Sequence, residues 1–101
     1  MIRHIVLFKL LDIKSEEEKS EKTNRIIQCF GNLKSSISTI QHLEVKRNEG
    51  NNPAAYDIGI YAEYASWKDL DSYSQHPAHQ QAIKHCKQIA KEKAVIDYEI
   101  E

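Results

Sequence analysis

Ile2-Arg3-His4-Ile5-Val6-Leu7-Phe8-Lys9-Leu10-Leu11 decides the fold, because it alternates like a strand and is apolar at the middle of both its faces. Side chains of a strand point to opposite sides with period two. Ile2, His4, Val6, Phe8 and Leu10 therefore share one face, and Arg3, Ile5, Leu7 and Lys9 share the other. Helices of the same chain can cover one face. Ile5 and Leu7 then require a second apolar surface, which a chain of 101 residues obtains most simply from the sheet of a second copy. The expectation is a homodimer joined through the sheet face that carries Ile5 and Leu7.

Downstream, Ser15-Glu16-Glu17-Glu18 has the form of a capping box, with carboxylates suited to a helix N-terminus. Ile26, Ile27, Phe30 and Leu33 follow at helical spacing. Gly31 weakens that helix and offers a place for helix and sheet to approach closely, and Ser35 to Thr39 reads as a loop. His42 to Arg47 alternates around Leu43 and Val45 as a half-exposed strand at a sheet edge. The turn cluster Asn48-Glu49-Gly50-Asn51-Asn52-Pro53 leads into a third strand over Tyr56 to Tyr64, with Tyr56, Ile58, Ile60, Ala62 and Tyr64 on its core face. Ser66 caps a short helix carrying Trp67, Leu70 and Tyr73. Pro77 ends that helix near Tyr73 and opens another, with His76 as N-cap and Ala78, Ala82, Ile83, Cys86, Ile89 and Ala90 on its apolar side. Val95 to Ile100 closes the chain as a strand with Ile96, Tyr98 and Ile100 on one face. The order describes one α+β domain over residues 1–101, a ferredoxin-like four-stranded antiparallel sheet with helices on one face.

Composition narrows the function. Lys+Arg 14 against Asp+Glu 15 gives a formal net charge of −1, without the basic footprint of a nucleic-acid binder. The longest apolar run, Ile5 to Phe8, is far too short to span a membrane, and the N-terminus lacks a secretory h-region, so a soluble cytoplasmic protein is expected. Cys29 and Cys86 both fall on apolar helical positions, as buried reduced thiols do.

The chemistry gathers at Tyr73-Ser74-Gln75-His76-Pro77-Ala78-His79. His79 falls in the first turn of the helix opened by Pro77, where the positive end of the macrodipole disfavours imidazolium. A neutral imidazole beside a tyrosine hydroxyl is a usable general base at pH 7. His76, His79 and His85 do not have the spacing of a metal site, the glycines are isolated rather than grouped in a phosphate loop, and no serine lies in a nucleophile elbow. No metal or cofactor is expected.

The start Met1 to Lys9, the middle Leu70-Asp71-Ser72-Tyr73-Ser74-Gln75-His76-Pro77-Ala78-His79 and the end Val95-Ile96-Asp97-Tyr98-Glu99 together resemble the stress-responsive dimeric α/β-barrel family. The resemblance spans essentially the whole chain and implies two ferredoxin-like subunits packed sheet on sheet into a barrel. Some plant members of that family are cofactor-free polyketide cyclases. By resemblance the catalytic pair here is Tyr73 and His79, with His4 facing the same pocket. Strand parity adds Val6, Phe8, Ile60 and Ala62 to the expected ligand-binding surface, with Leu70 beside them. Those cyclases wall the pocket with aromatic side chains from the first helix, where this chain has Lys22, Thr23 and Ile26. Two readings follow. One is a small-molecule enzyme of cyclase, isomerase or lyase type using the tyrosine and histidine as an acid-base pair. The other is a non-catalytic stress-response protein acting through a stable oligomer. A cavity reaching His79 separates the first from a core filled by Phe8, Phe30 and Trp67.

Overall fold

The computed structural model describes residues 1–100 and is built around strand β1 (Ile2–Leu10). Antiparallel partners flank it on both sides, β3 (Ile58–Tyr64) and β4 (Ala90–Glu99), and β2 (Ile40–Arg47) completes the order β2-β3-β1-β4. Register follows parity. His4 lies opposite Ala62 and Asp97, Val6 opposite Ile60 and Val95, and Phe8 opposite Ile58 and Lys93. Ile2, Val6, Phe8 and Leu10 of β1 are buried, with Ile58, Ile60, Ala62 and Tyr64 of β3, so the even-numbered face of β1 is the core face.

Helices cover that face. The Ser15 hydroxyl accepts from the Glu18 N–H at 3.1 Å and the Glu18 carboxylate reaches back to the Lys14 N–H at 3.2 Å, which starts α1 (Glu16–Gly31). Its Thr23, Ile26 and Phe30 turn into the core. Full burial of a side chain the size of Ile26 or Phe30 stabilises by about 1.5–3 kcal/mol. Gly31 does not mark a close approach to the sheet, since a side chain there would meet open space, and the stretch read as a loop begins with one more helical turn, α2 (Leu33–Ser36). Buried Leu33 and Ile37 hold that turn to the core.

Ser66 caps α3 (Trp67–Gln75), which runs two residues past Tyr73, and α4 (Pro77–Cys86) ends earlier than the apolar pattern implied. Ile89 is buried in the turn that follows α4, where its N–H bonds the Cys86 carbonyl at 3.0 Å and its own carbonyl accepts from Leu11 at 2.9 Å. That tie to the end of β1 starts β4 at Ala90 instead of Val95. A buried residue at a turn satisfies helical spacing by coincidence of position.

The helix-free face carries Ile5 and Leu7 beside Tyr61 and Gly59 of β3 and Ile96 and Ala94 of β4. Leu7 is 37% exposed and Ile96 58%. Arg3 closes one end of this patch, bonding the Tyr98 hydroxyl at 3.0 Å, pairing with Glu63 at 3.5 Å and lying 5.0 Å from the Tyr61 ring. No helix is long and apolar enough to cross a membrane among the described residues.

Both cysteines are free, but they differ. Cys86 is 2% exposed, and burial pushes its thiol pKa up to about 11. Cys29 is only half-buried and lines a 380 Å³ surface groove between α1 and α4 with Gln81 and His85, so the expectation of two inaccessible thiols holds for one of them. A thiol reagent applied to the native protein should modify Cys29 first and Cys86 only at the rate of unfolding. Equal rates measured by mass spectrometry would contradict this placement.

Candidate active site

The break between α3 and α4 creates the site. Pro77 has no N–H, so the Tyr73 carbonyl, four residues earlier, loses its helical donor and takes the His76 N–H instead at 3.1 Å. The next donor, the Ala78 N–H, is captured by the His76 ring nitrogen Nδ1 at 3.0 Å, making His76 the N-cap of α4. The Ser74 carbonyl is thereby left without its own i+4 partner. It accepts from His79 Nδ1–H at 3.1 Å and also from the Gln80 side-chain amide. A carbonyl can only accept, so Nδ1 carries the hydrogen and Nε2 holds the lone pair of the neutral ring.

Burial is the main force on His79, lowering its pKa from the ordinary imidazole value. The Ser74 hydrogen bond opposes the shift, and Lys93, His4 and His76 reinforce it. From the sequence the helix dipole is the expected cause of this shift; in the folded protein burial of the ring heads the causes. The Tyr73 ring centroid lies 4.3 Å from that of His79, and Tyr73 is 1% exposed. Burial raises its phenol to about 12, so at neutral pH it is a hydrogen-bond donor and not a phenolate. Tyr64 packs behind it with centroids 5.1 Å apart, and burial beside a second phenol holds the Tyr64 hydroxyl protonated as well. His4 stands 6.0 Å from the Tyr73 ring, and its Nδ1 is hydrogen-bonded to the Asp97 carboxylate delivered by β4. That bond fixes the orientation of the His4 ring.

Tyr73, His79, His4 and Asp97 share a cavity of 210 Å³ between sheet and helices. His4, Val6, Phe8, Ile60, Tyr73 and His79 all line it, six of the eight residues expected from sequence. Two do not. Ala62 is 0% exposed between His4 and Leu43 in the sheet, and its methyl belongs to packed interior. Leu70 instead lines an adjoining hollow of 650 Å³ that meets the cavity at His4, Ser74 and Asp97. Phe30 and Phe8 form walls without filling the space, and Trp67 stands 51% exposed at the mouth of the adjoining hollow. Phe30 supplies an aromatic wall from α1, later in the helix than the Lys22 to Ile26 stretch. Sequence reasoning also missed Asp97, Lys93 and Val95 of β4. Val95 and Asp97 have the parity opposite to Ile96 and Tyr98, Lys93 lies before the strand expected from sequence, and only the β1–β4 register brings Asp97 opposite His4. Among the described residues no group of three His, Cys, Asp or Glu side chains could hold a metal ion.

Comparison with known proteins places the fold. A family model described as the stress responsive A/B barrel domain matches residues 2–100. A protein of Streptomyces coelicolor is 34% identical over 83 residues, covering 82% of this chain and 84% of that one. A stress-response A/B barrel domain-containing protein of Arabidopsis thaliana is 25% identical, and the match covers 97% of this chain but 46% of the relative. Among solved structures, a dimeric protein of ferredoxin-like fold from Bacteroides fragilis superposes with a TM-score of 0.86 at 34% identity, covering 98% of this chain and 95% of that chain. The hydroxynitrile lyase of Passiflora edulis shares the fold with a TM-score of 0.81 at 17% identity, covering 99% and 93%.

The His79 shift has a defined consequence for stability. Its folded pKa lies below the unfolded value of about 6.5, so the unfolded chain binds the proton more readily. Stability from neutral His79 is complete above about pH 6.5 and is lost as pH falls toward the folded pKa. Denaturant unfolding between pH 5 and 8 should show wild type losing stability faster than His79→Ala on the acid side. An imidazole NMR midpoint for His79 at or above 6.5 would refute the assignment.

Proposed function

This chain belongs to the stress responsive A/B barrel domain family, and from that premise we propose that it is a small-molecule enzyme performing proton transfer with its own side chains. Three reaction types share the first step. A carbonyl substrate accepts a hydrogen bond from the Tyr73 hydroxyl, and His79 Nε2 takes the proton from the adjacent carbon as the C–H electron pair moves to form an enolate. Returning the proton from imidazolium to another carbon is isomerisation. Attack of the enolate on a second carbonyl is cyclisation, and expulsion of a β-substituent is lyase chemistry. His4, braced by Asp97, orients the substrate from the strand side. The observation that carries this reading is the Ser74 carbonyl held by His79 Nδ1–H, which leaves the opposite nitrogen as the base of a residue lining the cavity. The Passiflora hydroxynitrile lyase, sharing the fold alone, supports the capacity of such a scaffold for lyase chemistry only by analogy.

The test is exchange of α-hydrogens of small β-dicarbonyl compounds in D₂O, followed by proton NMR. Wild type should exchange them above the buffer rate, His79→Ala should lose roughly 10²- to 10⁴-fold, and Tyr73→Phe should lose a smaller factor with the fold intact. Buffer-rate exchange by a folded wild type across the series favours the alternative, a non-catalytic stress-response oligomer.

Assembly belongs to the same proposal. Solved relatives are described as dimeric, and the helix-free face with Ile5, Leu7 and Ile96 is the surface this chain offers for a homodimer. Ile5→Asp would bury an unpaired carboxylate at that contact and should yield monomers or unfolded protein. A wild type sedimenting as a monomer at micromolar concentration would remove the dimer.

A further inference from the structure

Beside the cavity at His79 lies a second hollow of 230 Å³, which has Phe8, Ile83 and Lys93 in common with it. There the wall changes character. The floor stays apolar, with Cys86 and Ala90 beside Phe8 and Ile83, but the rim carries Lys87, Lys91 and Lys93 against the single acid Glu92. Register explains the placement of Lys93: it lies opposite Phe8 and so shares the helix-facing side of β4 with Val95 and Asp97, whereas Glu92 lies opposite Lys9 and has the parity of the other face. None of the three lysines forms an ion pair among the described residues. The C-terminal end of α4 contributes roughly half a negative charge nearby, which with Glu92 leaves the rim positive.

The opposite end has the reverse polarity. Where the cavity meets the 650 Å³ hollow, Asp97 and Asp71 stand against Lys68. An elongated ligand lying beneath α3 and α4 therefore meets acids at the His4 end and bases at the Phe8 end. Such a gradient fixes the direction of a ligand with one charged end.

We propose that the lysine-rimmed hollow is an anion subsite and that the ligand of this site is an amphipathic carboxylic acid. Its carboxylate sits among Lys87, Lys91 and Lys93, and its apolar chain passes Phe8 and Ile83 to bring a carbonyl toward Tyr73 and His79. This rests on the reading of the His79 cavity given above and adds the substrate class to it. Lys93 is the specificity-determining residue because it alone of the three lines both spaces. Its charge also bears on the His79 imidazole, lowering the pKa there as a secondary cause behind burial.

Octanoate, 1-octanol and octylammonium, equal in chain length and different in head group, test this by titration against the amide NMR spectrum of the full chain. Octanoate should shift the amides of Phe8, Ile83 and Lys93 together with those of Tyr73 and His79, and bind at least about tenfold tighter than octanol, the size of one charge-assisted contact. Lys93→Gln should remove about tenfold of octanoate affinity and leave octanol unchanged, with Lys91→Gln acting in the same direction. Octylammonium should bind more weakly than either. Octanol binding at Tyr73 and His79 as tightly as octanoate, or octanoate affinity indifferent to both lysine substitutions, overturns the anion subsite and leaves the reading of the cavity standing. Absence of shifts at Tyr73 and His79 with all three probes overturns the anion subsite, and the α-hydrogen exchange test then decides the reading of the cavity by itself.

Discussion

The arrangement of the site depends on one carbonyl deprived of its helical partner. His76 causes this by capturing the Ala78 N–H, just after the break that Pro77 opens by giving the Tyr73 carbonyl no donor. The Ser74 oxygen that results is strongly polar and only partly buried, so it recruits the nearest donors, and one of these is His79. A capping event ordinarily worth about 1 kcal/mol to helix stability thus decides which nitrogen of a neighbouring imidazole carries hydrogen. Tyr73 sits on the last full turn before the break and His79 on the first turn after it. The change of helix direction lets both residues approach one point beside the sheet.

The second constraint is β1, whose two faces have separate duties. Even-numbered positions His4, Val6 and Phe8 floor the cavity, and odd-numbered positions Arg3, Ile5 and Leu7 face the side without helices. Period-two geometry lets adjacent residues serve unrelated purposes at a separation of one peptide unit. It also prevents slippage, because a shift by one residue would send His4 to the outer face and bury Arg3.

Much of this could be read from the chain before any coordinates. Strand parity on β1 and β3, the Ser15 and Ser66 caps, and the proline break are local signals, and local physics controls them; hence the order of elements and most of the cavity lining were legible. Interactions between distant segments were not. The run from Ala90 to Lys93 has weak strand character and follows a helix, and only pairing with β1 makes it a strand, so Lys93 and Asp97 could not be assigned to a wall. Ala62 had the right parity and still does not line the cavity, because it is fully buried in the sheet between His4 and Leu43. The desolvation of His79 was likewise not legible, since it depends on how deeply other elements cover the ring.

Strand β4 is an edge strand, and its outer row of backbone donors and acceptors is open to pairing by another chain. Val95 at 49% and Ile96 at 58% exposure make its centre adhesive on both faces. A flat apolar edge of this kind templates uncontrolled sheet growth. Lys91-Glu92-Lys93 beside that centre, and Asp97 and Glu99 beyond it, bring charges that a second edge would have to desolvate. The charges along this strand therefore act as gatekeepers of solubility, and a variant that neutralised them in favour of tighter binding to apolar molecules would become prone to aggregate through β4.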